Sequence, residues 1–182
     1  LCALNDASVL PTLLEATANA ELKDKAIARY IELTGASTLN NDQKYMNYRK
    51  ALETNPALKY KNQALKALSA TQNYQAMMLA AEYMDNAETA QAAANTVLQI
   101  ATKHPEFYSA EVKALLEKVG ATVNDGDAVY KRKDIEKFIS ENKEGAARSI
   151  ITELSEEEKA EGFELLFNGK DMSAWTGNLD AY

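Results

Sequence analysis

The sequence predicts an all-α fold, an α-solenoid of about eight helices, with a short β-type tail that begins a second domain. Three observations predict it. Apolar residues return at spacings of three and four over most of the chain. Only 7 Gly and 3 Pro interrupt the 182 residues, few enough for long helical runs. Asn19-Ala20-Glu21, Asn55-Pro56-Ala57 and Asn86-Ala87-Glu88 each open a helix with the same chemistry, 36 and 31 residues apart. Those periods suit a helix pair that stacks on its neighbours rather than a closed bundle.

The elements follow in order. Asp6 or Ser8 caps a short first helix bearing Val9, Leu10, Leu13 and Leu14, with Pro11 still inside its first turn. Asn19 caps a second helix whose buried stripe is Leu22, Ala26, Ile27, Tyr30 and Ile31, ended by Gly35 in a left-handed cap. A third runs from Asn41 to Glu53 with Tyr45, Tyr48 and Leu52 on one side. Asn55 caps a fourth, Pro56 sits in its first turn, and Leu58, Ala64, Leu65 and Leu68 form its apolar face. Thr71 caps the next, with Tyr74, Met77, Met78, Ala81 and Met84 along one side. From Asn86 a sixth carries Ala90, Ala94, Val97, Leu98 and Ala101 until His104-Pro105 stops it. Two more follow: one with Val112, Leu115, Leu116 and Val119 ended by Gly120, and one from Ala128 to Glu141 with Ile135, Phe138 and Ile139.

Composition narrows the chemistry. The net charge of −7 repels phosphate backbones and anionic lipid in the absence of a segregated basic patch. The one basic run, Lys131-Arg132-Lys133, is followed by Asp134 and Glu136 and reads as a solvated helix face, so no nucleic-acid partner is expected. One Cys and one His leave no Cys/His zinc set within the chain and no internal disulfide, and neither metal nor cofactor is predicted. No apolar run approaches the roughly 20 residues of a transmembrane segment.

The run from Asn55 to Ala101, with an Asn-Pro corner before an Ala- and Leu-rich helix, resembles HEAT-type repeats, a relative of armadillo repeats. Residues 1–153 are therefore expected to form a HEAT-like helical repeat domain. At Leu154 the character changes. Ser155-Glu156-Glu157-Glu158 is a capping box opening a short helix closed by Gly162; Phe163–Phe167 reads as a strand, Asn168-Gly169 as a tight turn, and Met172–Trp175 as a second extended piece. The string GFELLFNGKDMSAW, Gly162–Trp175, resembles the opening of the 3-keto-disaccharide hydrolase family, long catalogued as a bacterial domain of unknown function. Phe stands where the family commonly has Trp. Residues 154–182 are thus expected to be a linker helix and the incomplete start of that domain. The resemblance implies a concanavalin-like β-sandwich that acts on or binds glycosides in bacterial secreted or periplasmic settings. Such a sandwich takes on the order of 100 residues, so no catalytic residue is carried over to this chain. If Cys2 follows a cleaved signal peptide, it is a lipid attachment site; otherwise it is an inert thiol.

Candidate function follows from the aromatics. Tyr30, Tyr45, Tyr48, Tyr60, Tyr74 and Tyr83 crowd the middle of the chain, and aromatic rings stack on sugars and anchor protein partners alike. Tyr45, Tyr48 and Tyr74 are the candidate binding residues. Met77, Met78 and Met84 read either as core or as an adaptable partner groove. The resulting expectation is a non-catalytic scaffold for protein–protein interaction within a carbohydrate-active hydrolase, its partner being the downstream hydrolase domain or another protein. The alternative is a glycan-binding module using the surface tyrosines.

Overall fold

The computed structural model describes residues 6–142, 154 and 156–163, within two units, Leu1–Glu144 and Gly145–Tyr182. The first is all-helical. Its α-helices are α1 (Leu10–Ala16), α2 (Lys23–Ala36), α3 (Asn41–Glu53), α4 (Leu58–Leu68), α5 (Tyr74–Ala81), α6 (Ala90–Ala101), α7 (Ala110–Thr122) and α8 (Ala128–Glu141); one 3-10 turn precedes α1 and two others lie between α4 and α5 and between α6 and α7. No strand occurs among the described residues. Each helix packs on the next, and α2 also touches α4, α4 touches α6, and α3 touches α5.

The middle of this unit is α4. Ala64, Leu65 and Leu68 recur at helical spacing on one face and are completely buried, a side chain such as Leu contributing about 1.5–3 kcal/mol on burial. Thr96 of α6 is buried against the same helix, its Oγ1 donating to the Leu65 carbonyl at 2.8 Å. Small residues make the α4–α6 approach close: Ala64, Ala93, Ala94 and Ala101 have no accessible surface. One apolar cluster continues from Leu10 through these residues to Ile135.

Several helix ends differ from the sequence expectation. Asn19 and Asn86 do not cap helices directly; each folds an extra turn ahead of one. The Asn19 Oδ1 accepts from the Glu21 N–H and the Asn86 Oδ1 from the Glu88 N–H, both at 2.9 Å, and the helices begin at Lys23 and Ala90. Leu22 consequently stands 48% exposed instead of joining the stripe. Asn55 departs from that pattern. Its φ of +46° makes it the left-handed residue that ends α3, a conformation Asn tolerates better than most. The helix after it starts at Leu58, capped by no side chain, with Leu58 exposed.

Gly35 and Gly120 lie inside α2 and α7 instead of ending them, because the following residues can continue the i→i−4 bonding. At Gly35 a β-carbon would stand 3.1 Å from the Tyr48 hydroxyl, so the bare backbone leaves room for that ring. Asn73, not Thr71, caps α5: its Oδ1 accepts from the Ala76 N–H at 2.8 Å. The Thr71 hydroxyl is buried and donates to the Leu68 carbonyl.

Tyr30, 1% exposed, is among the largest fully buried side chains, and its hydroxyl donates to Asn47 Oδ1 at 2.9 Å. Burial pushes its pKa up from 10.0 to about 12, since the phenolate would lose hydration. The unfolded chain ionises near pH 10 and the folded one only near 12. Stability from this group is therefore full below about pH 10 and is lost as pH rises from about 10 through about 12. Denaturant melts between pH 9 and 12 should show wild type losing stability faster than Tyr30→Phe, by the order of 1–3 kcal/mol across the window.

In the second unit, α9 (Glu156–Ala160) is the short helix expected there, and Gly162, φ +85°, follows it. Phe163 is non-helical and exposed. The remaining strand and turn expectations, from Glu164 to Trp175, lie outside the described residues, as does Cys2.

Candidate functional site

The candidate site is a groove between α3 and α5, about 390 Å³ in volume. The capping box of Asn40 and Gln43 fixes where α3 begins: the Gln43 N–H donates to Asn40 Oδ1 and Gln43 Oε1 accepts from the Asn40 N–H. Tyr45, Arg49 and Glu53, four residues apart in turn, then line one wall. The opposite wall comes from α5 and the turn after it: Tyr74, Gln75, Met78, Leu79, Glu82 and Tyr83. Ala76, Met77 and Ala80 are wholly buried, which turns the other side of α5 outward. Asn73 also donates from Nδ2 to Asp42 Oδ1 at 3.2 Å, holding the two helix starts together.

Of the three tyrosines singled out from sequence, the groove brings together two. Tyr45 is half-buried on the α3 wall, and Tyr74 is half-buried opposite. Tyr48 is elsewhere. It is 2% exposed and packed in the core near Gly35, so its ring is closed to a partner in this conformation. Burial also raises its pKa. The methionines divide similarly: Met77 and Met84 are core, whereas Met78 faces the groove.

Tyr74 is held at its far edge. Its ring meets Phe107 edge-on with centroids 5.5 Å apart, and its hydroxyl donates to Glu111 Oε2 at 3.1 Å. Partial burial and that carboxylate both push its pKa up. Phe107 in turn stacks on His104, centroids 4.9 Å apart. His104 Nδ1 lies 2.6 Å from Glu106 Oε1, and this hydrogen bond holds the Glu106 carboxyl below its usual range. The His precedes the 3-10 turn Pro105–Phe107 that follows α6 and is occupied by its neighbours.

Comparison with known proteins finds no matching family model, no matching curated protein and no matching solved structure. The site therefore has to be read from its own chemistry.

The lining charges are Arg49, Glu53 and Glu82. Arg49 Nε donates to Glu53 Oε1 at 2.9 Å, and this bond, together with one to Tyr45, strengthens the guanidinium's hold on its proton. The Tyr83 hydroxyl is pushed up first by burial and then by the charges of Glu82 and Glu53. Aromatic faces, a thioether and a few charged groups make a surface that binds by stacking, dispersion and hydrogen bonds. Among the described residues no group of three His, Cys, Asp or Glu side chains is placed to hold a metal ion.

Sequence reasoning passed over Arg49, Glu53 and Glu82. The Tyr45–Arg49–Glu53 stripe at i, i+4, i+8 was an available signal; the part of Glu82 and Tyr83 was not, since both lie past the end of α5. The basic run lies on a solvent-facing side of α8 as expected, with Arg132 and Lys133 exposed and Lys131 half-buried, and two of its side chains are also bonded. Lys131 bonds Asp125 and donates to Asn95 Oδ1 at 2.8 Å, and Arg132 donates to the carbonyls of Gly120 and Val123. Among the described residues no helix is long and apolar enough to cross a membrane.

Proposed function

We propose that this chain supplies a non-catalytic docking module of the HEAT/armadillo-like solenoid type, which seats a protein segment in the Tyr45–Tyr74–Tyr83 groove. The groove carries the reading. It offers three aromatic rings with a rigid frame behind them, at low entropic cost for immobilising them, as binding hot spots require.

The repeat reading draws support from the spacing of tertiary hydrogen bonds. Asn73–Asp42, Tyr74–Glu111, Gln91–Asp125, Thr96–Leu65 and Lys131–Asn95 join residues 31 to 37 apart. Each step is about one helix pair, the separation at which a stacked repeat contacts its neighbour. The like-folded turns at Asn19 and Asn86 agree with it.

The wider context rests on the resemblance of 154–182 to 3-keto-disaccharide hydrolases. In this proposal the module belongs to a bacterial secreted or periplasmic carbohydrate-acting protein and positions its hydrolase domain or another protein. A glycan in the same groove is the second reading, favoured by the mixture of tyrosines with Arg49, Gln75 and Glu82. The test has two arms on the whole chain. It should turn over neither glycosides nor 3-keto-glycosides, and peptides selected from a random library should bind it but not the Tyr45→Ala/Tyr74→Ala variant. Turnover abolished by one acidic substitution, or a selection without tyrosine-dependent binders, overturns the proposal.

A further inference from the structure

We propose that the segment seated in the groove is basic, and that its arginine or lysine side chains lie across Tyr45 and Tyr83 with their charges facing Glu82. This rests on the docking reading above and names the partner's chemistry.

Two features of the groove point there. Its aromatic surface comes from three tyrosines, whose negative ring faces attract cations, arginine above all. Its charge is of one prevailing sign. The single cation in the lining, Arg49, is neutralised by Glu53 at 2.9 Å, leaving Glu82 as the excess charge. The unpaired Glu82 favours cationic segments over acidic ones at this surface.

The geometry also accommodates such side chains. A groove open along α3 and α5 lets an aliphatic stem lie on Met78 and Leu79 while its head reaches the Glu82 carboxylate. A neutral sugar would use the rings and could donate hydroxyl hydrogen bonds to Glu82, but would form no ion pair with it.

Backbone amide shifts of the full 182-residue chain, titrated in parallel with tetra-arginine, tetra-lysine, tetraglycine, tetraglutamate and a neutral tetrasaccharide, test the assignment. Tetra-arginine, and more weakly tetra-lysine, should shift residues of 45–53 and 74–83. Binding should fall several-fold between about 0.05 and 0.5 M salt, about twofold to fivefold in Glu82→Gln, and about tenfold in Tyr45→Ala. Glu82→Gln should leave the melting temperature unchanged, which separates loss of binding from loss of fold. Equal binding of tetraglycine or tetraglutamate, shifts from the tetrasaccharide alone, or no shifts with any probe overturns the basic assignment. Library peptides that depend on the tyrosines yet carry no basic residue overturn it too, while leaving the docking reading standing.

Discussion

Tyr48→Ala is expected to destabilise the helical unit by about 3–5 kcal/mol, the cost of removing a large buried ring. For a domain of this size that corresponds to a melting temperature roughly 6–20 °C lower. The ring is 2% exposed and stands against the one place where α2 lacks a side chain, Gly35. Thermal unfolding followed by circular dichroism measures the loss. A change under about 1 kcal/mol would mean that the ring is not packed as described.

The second large effect concerns binding. Tyr45→Ala combined with Tyr74→Ala should weaken library-selected peptides about 30-fold or more, the factor that a loss of at least about 2 kcal/mol implies. The fold should survive. Both rings are half-buried at the groove rim, and the helices are held by Ala51, Leu52, Ala76 and Met77 beneath. The contrast with Tyr48 is the informative part: three residues apart on one helix, Tyr45 should control binding and Tyr48 stability. Calorimetric titration of the variant against wild type gives the first number and thermal unfolding the second.

That contrast also shows where the sequence stops being legible. Periodicity places Tyr45, Tyr48 and Leu52 on the same side of α3, and the helix is found at Asn41–Glu53 as expected. Which tyrosine is covered depends on what α2 brings opposite it, and a glycine 13 positions earlier leaves no mark on the local pattern. The same limit governs the ends of helices. Leu65, Leu68 and Ala64 declare their face through spacing alone, because core burial is the strongest term acting on them. Asn55 and Asn19 look alike in sequence, yet one takes φ +46° and the other forms a turn around its own side chain. Asn suits both uses, and the path of the chain into the next helix decides between them.

The groove was half visible. Tyr45 and Tyr74 stand out by type, but their pairing needs α3 and α5 to be neighbours, and Asn73 rather than Thr71 to start α5.

Hydrogen exchange of the full chain, with and without a peptide selected for tyrosine-dependent binding, tests the central claim most directly. Docking in the groove predicts slowed exchange in residues 41–53 and 74–83, with α2, α6 and α8 unchanged. Protection that falls instead on the α4 and α6 surface around Asn62, Lys66 and Gln99, or no protection at all under saturating peptide, would contradict it.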